Sequence, residues 1–132
     1  MNRERALKVV LVLVGLIFLF AVYPLMMYFW PSGWRWQPNQ PAYEQMILGV
    51  YATLGIFLLL ASRNPSEHRS LIAFTAWSSL VHAGIMAVQA FQHPSEHGHL
   101  VGDIPALAIV GIALIALAPA KQPVKKASEV NA

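Results

Sequence analysis

The chain has 132 residues, of which 57% are hydrophobic and 11% charged, with a formal net charge of +3 and no cysteine. Soluble domains carry about a quarter charged residues, so this chain has too few to solvate a globule of its size, and an all-α membrane protein is expected. The missing cysteines exclude disulfides, thiolate metal sites and thiol nucleophiles. The isoelectric point near 9.5 does not point to nucleic acid, because the basic residues flank apolar segments, where they orient a chain in a bilayer.

At about 20 apolar residues per helical span, the length allows one domain of about four spans, residues 1–120. The first, about residues 7–30, carries no charge from Val9 to Trp34. A signal peptide is the rival reading of this basic-then-apolar segment, but the apolar run is too long and no small-x-small cleavage site closes it. Pro24 is placed to kink the helix and open space beside it. Residues 31–43 hold Pro31, Pro38 and Pro41 with Trp34, Trp36 and Arg35, a turn-rich interfacial loop with an aromatic belt.

The second span covers about residues 44–61 and is closed by the polar run from Ser62 to Arg69. In that run Asn64 and Glu67 have capping-box spacing. The third covers about 70–91. A loop rich in histidine and glycine follows, and Asp103 before Ile104-Pro105 fits the N-cap of a fourth span over about 100–118. Residues 121–132 form a polar tail, expected to be disordered and cytoplasmic. The tetrapeptide Pro-Ser-Glu-His at Pro65 recurs at Pro94; it serves both times as a helix start, with proline and glutamate in the first turn.

Eight of the nine Lys and Arg residues (Arg3, Arg5, Lys8, Arg63, Arg69, Lys121, Lys125, Lys126) fall on one side of a four-span topology, leaving Arg35 on the other. Since cytoplasmic loops are enriched in these residues, both termini are expected in the cytoplasm. Glu44, Glu96, Asp103, His93, His97 and His99 then lie on the outer side.

On the third span Thr75, Ser78, His82, Gln89 and His93 share one face, beside a stripe of Ala76, Ser79, Ala83, Ala87 and Ala90 that admits a close helix neighbour. Counting at about 1.5 Å per residue from the basic residues puts His82, Tyr51 and Tyr23 at one depth of roughly 18 to 23 Å. The same count puts Gln89, Glu44 and Asp103 in a second layer at roughly 27 to 30 Å. An ionisable residue at membrane depth marks a functional site by default. His82, Tyr51, Tyr23, Gln89 and Ser78 are therefore the candidate ligand-binding residues, although a histidine bonded to a tyrosine also pins helices together with no ligand at all.

Three functional classes fit. The first is a non-catalytic accessory subunit or small-ligand or lipid-binding protein with an outward-facing polar pocket, working with a protein partner or a second copy of itself. The second is a membrane enzyme on a lipid-soluble substrate, with His82 as general acid or base, Glu44 or Asp103 as charged counterpart and Tyr51 orienting it. The third is a metal or haem protein. Its metal would be held by His93, His97 and His99, and haem would need His82 with Met27, Met86 or the His82 of a second copy. The sequence names no cofactor, and a transporter would need an inverted repeat that is absent here.

The stretch Ser78-Ser79-Leu80-Val81-His82-Ala83-Gly84, continued to Gly102-Asp103, resembles a family of small bacterial four-helix membrane proteins without assigned function. The resemblance covers the last two spans. It implies a bacterial inner membrane and carries no activity with it.

Overall fold

The computed structural model describes residues 2–119. Within them the chain forms four helices long and apolar enough to cross a membrane: α1 (Arg3–Phe29), α3 (Pro41–Ala61), α4 (Arg69–Gln92) and the run Pro94–Leu117. That last run is a 3-10 helix over Pro94–Val101 followed by α5 (Asp103–Leu117). A short helix, α2 (Pro31–Trp34), and a second 3-10 turn, Pro65–Glu67, complete the secondary structure. The expected tail at 121–132 lies outside the described residues.

The spans begin earlier than the hydropathy pattern alone places them, because proline starts them. Pro41 opens α3 and Pro94 opens the last run, each where a missing N–H costs nothing. The expected histidine-rich loop is thereby mostly 3-10 helix. Both Pro-Ser-Glu-His copies start 3-10 turns, as read from the sequence, but the Asn64 side chain caps nothing: Ser66 donates to its Oδ1 instead.

In α1 the expected disturbance at Pro24 takes the form of two π-helical stretches, Ile17–Ala21 and Leu25–Phe29, one on each side of the proline. Proline offers no N–H to the preceding turn, and a widened turn absorbs the mismatch.

The core is narrow. Leu7, Leu11, Val14 and Phe18 of α1 recur at steps of four, three and four and are buried. The wide apolar surfaces at Phe20, Phe29, Phe74, Trp77, Phe91 and Ile109 face outward, as helices that contact lipid require. Small residues bring the helices together. Gly15 of α1 and Gly55 of α3 meet backbone to backbone; a Cβ built on either comes within 3.0 Å of the other's carbonyl oxygen. The alanine stripe of α4 is buried at Ala76, Ser79, Ala83 and Ala90 and packs on α5, where Gly111 leaves room for Leu80 and the Ala76 carbonyl. Close approach of this kind gives van der Waals contact where lipid supplies no hydrophobic drive.

The resulting order around the bundle is α3, α1, α5, α4. The circle closes poorly, since α3 and α4 touch sparsely. With four spans both ends of the described residues lie at one end, where Arg3 donates to the Ala118 carbonyl at 2.7 Å and Arg69 to the Pro119 carbonyl at 3.3 Å. Cations at these last carbonyls satisfy groups the final helix leaves unpaired.

Candidate functional site

At the end of the bundle away from the termini, α2 and the loop after it fold over the spans and rest on the 3-10 helix. Gly98 and Gly102 make this possible: a Cβ on Gly98 would run into the Ser32 carbonyl, and one on Gly102 into the Gly33 carbonyl. Side chains then fasten the loop. Trp36 Nε1 donates to Asp103 Oδ2 at 3.2 Å, and the Gln37 backbone N–H donates to Glu96 Oε1 at 3.2 Å.

His99 sits at the centre of this clasp with no solvent exposure, flanked by Glu96 at 4% and Asp103 at 7% exposure. Its Nδ1 is 2.9 Å from Asp103 Oδ1. Its Nε2 is 3.1 Å from Glu96 Oε2, ion-pair distance but off the line of a hydrogen bond. The Trp36 indole stacks on the imidazole with ring centres 4.1 Å apart. The imidazole lies between two buried acidic groups, so removing the ring would leave both without the partner they share.

Beneath the clasp lies a cavity of about 230 Å³. Phe18, Val22 and Met26 of α1, Ile47 and Leu48 of α3, Met86 of α4 and Leu107 of α5 make most of its wall. Tyr51, His82, Gln89 and Asp103 are its polar members, and Trp34 and Trp36 its roof. The Trp34 indole N–H is buried without an acceptor among the described residues. Ile47 and Gln89, on the α3 and α4 walls, are exposed, so the cavity opens through the sparse α3–α4 seam.

One hydrogen bond crosses that seam: the Tyr51 hydroxyl and His82 Nδ1 are 2.5 Å apart. Phe18 meets the Tyr51 ring edge-to-face at 5.0 Å and holds it toward α4. Four of the residues singled out in the sequence, Tyr51, His82, Gln89 and Asp103, thus line one cavity.

Others lie elsewhere. Tyr23 is half exposed and pairs edge-to-face with Tyr28, because equal depth does not imply equal face and Val22 and Met26 take the inward positions. Glu44 is drawn to the loop by Arg35, whose Nε is 3.1 Å from its Oε1, and lines a neighbouring groove instead. Ser78 donates to the Thr75 carbonyl of its own helix. Asp103 is not the N-cap of α5 but its first residue, after Gly102, since its carboxylate is engaged by His99 and Trp36.

The three outer histidines are not brought together. His93 and His97 are exposed, His93 bonding the Gln89 carbonyl at the end of α4, while His99 turns inward to the clasp. Among the described residues no group of three His, Asp or Glu is disposed to hold a metal ion. Sequence reading placed Glu96, His99 and Asp103 on one outer side but missed Phe18, Trp34 and the contact of His99 with both carboxylates. The four-residue rhythm His99, Asp103, with Glu96 three residues earlier, was the available signal for the last.

Residues 2–131 match the family of unknown function DUF6632. The chain belongs to this family. DUF6632 thus covers all four spans and both halves of the site, the clasp and the cavity. No curated protein and no solved structure matches the chain.

Proposed function

We propose that the protein receives a small lipid-soluble molecule in the cavity between its spans and serves as a ligand-binding or accessory subunit of a bacterial cytoplasmic membrane. The cavity carries this reading: most of its wall is apolar, a few polar side chains interrupt it, and it lies beside the sparse contact of α3 and α4. Pockets of that composition bury an apolar body and fix it by a few polar contacts. The orientation with both termini in the cytoplasm rests on the basic residues gathered at the terminal end.

A second reading, a membrane enzyme, is favoured by the 2.5 Å contact of Tyr51 and His82 beside Asp103. In it His82 exchanges a proton with the bound molecule and Tyr51 fixes the ring.

Native mass spectrometry of the protein released from a mild detergent tests both. A retained small molecule or lipid, held more weakly on Tyr51→Leu or His82→Leu, is expected. A chain that emerges bare from native membranes, with or without those changes, argues against ligand binding. Chemical change of the retained molecule during incubation moves the assignment to the enzyme. Absorption and metal content of the same sample test for haem or metal.

A further inference from the structure

The polar lining of the cavity includes donors that no protein acceptor takes up, and this bears on what kind of head group belongs there. Both oxygens of Asp103 are already used, Oδ1 by His99 and Oδ2 by Trp36. Tyr51 and His82 share one bond. A neutral imidazole and a phenol together own two acidic protons, and that bond uses one. If Tyr51 donates to Nδ1, the His82 Nε2–H is left over; if Nδ1–H donates to the phenol oxygen, the Tyr51 O–H is left over. Protonating the ring leaves two. In every state the pair offers the cavity at least one donor; each neutral state also leaves one acceptor, so the surplus rests on the Trp34 indole N–H, buried without an acceptor among the described residues. Gln89 brings one group of each kind.

Charge narrows the choice further. Asp103 is on the cavity wall with Glu96 behind it across His99, so an anionic head meets negative charge in a poorly solvated place. A cationic head would have to share Asp103 with His99 and Trp36, which already donate to its two oxygens, and the amine probe below measures that competition. Size narrows it again: an apolar cavity of about 150 Å³ holds benzene, so about 230 Å³ holds one substituted ring, with any tail leaving through the α3–α4 seam.

We infer that the ligand is a neutral, ring-sized carbonyl compound on an apolar tail, its oxygen received by the Tyr51–His82 pair. This rests on the reading that the cavity takes a lipid-soluble molecule.

The test uses four probes with one tail: a 4-alkylacetophenone, the alkylbenzene, the 4-alkylbenzoate and the 4-alkylbenzylamine, each offered to the full chain in nanodiscs and counted by native mass spectrometry. The ketone is expected to bind about tenfold more tightly than the alkylbenzene, the worth of one good hydrogen bond. Tyr51→Phe and His82→Leu each leave one donor, so each single variant keeps part of that preference. The double variant loses it while still binding the alkylbenzene, which reports an intact cavity. Equal binding of ketone and alkylbenzene by the unaltered chain overturns the inference and spares the cavity reading. Preference for the benzoate or the amine overturns it as well. Binding of none of the four overturns both. Should the double variant fail to fold, the four affinities of the unaltered chain decide the matter.

Discussion

The contact of Gly15 with Gly55 predicts a large penalty from the smallest possible substitution. A Cβ added at Gly55 falls 2.6 Å from the Gly15 carbonyl oxygen, 3.0 Å from the Leu19 nitrogen and 3.2 Å from the Phe18 Cβ. The first two are backbone atoms, so no side-chain rotation relieves them, and α1 and α3 must separate by roughly 0.8 Å to restore ordinary contact. Overpacking of this size costs about 1–3 kcal/mol, and in lipid no hydrophobic drive pushes the helices back together. Alanine is itself a better helix former than glycine by up to about 1 kcal/mol, which offsets part of the loss. Gly49 and Gly84 provide the internal comparison, since a Cβ at either meets nothing within 4 Å. Reversible unfolding in mixed micelles should therefore show Gly55→Ala destabilised by about 1–2 kcal/mol and Gly49→Ala and Gly84→Ala neutral or slightly stabilised. Equal effects at Gly49 and Gly55 would refute the close crossing. The crossing lies just below Phe18, so loosening it should also weaken retention of whatever the cavity holds.

The clasp makes a separate set of expectations. His99→Leu leaves Glu96 and Asp103 buried without their shared partner, and a loss of about 3–5 kcal/mol is expected in the same unfolding measurement; a loss under about 1 kcal/mol would show that the carboxylates reach solvent. Gly102→Ala should lift the loop at Gly33, read as faster amide exchange at Trp34 to Gln37 with α4 protection unchanged. His93→Ala and His97→Ala together should change stability by less than about 0.5 kcal/mol, because both residues are exposed; a larger loss, or stoichiometric metal released by the double change, would restore the outer histidines as a site.

What the sequence disclosed and what it hid divide along physical lines. Hydropathy and proline placement gave the four spans, because a bilayer permits little else. The meeting of Tyr51 with His82 was legible too: both sit at one depth, and polar side chains in adjacent spans seek each other when the alternative is lipid. Depth says nothing about azimuth, however, so Tyr23 at the same height faces away, and the π turns around Pro24 further change which residues of α1 face inward. Glu44 illustrates a different gap. Its position predicted the outer polar layer, but its partner was decided by Arg35, nine residues earlier in a loop whose path no periodicity encodes. The inward turn of His99 was equally hidden, since it depends on two glycines, Gly98 and Gly102, letting two irregular segments touch.

Those glycines explain why the polar end of the cavity is shielded at all. Backbone carbonyls of Ser32 and Gly33 can approach Gly98 and Gly102 only without side chains there, and that approach sets Trp36 over His99 and Trp34 over the cavity. Asp103 then belongs to both structures at once: its oxygens complete the clasp, and its side chain lines the chamber below. A carboxylate in that place would be costly if it were free. Engaged by His99 and Trp36, it is held in the clasp by one donor on each oxygen. The clasp and the cavity are thus joined through one side chain, and a change at Asp103 should be felt in both.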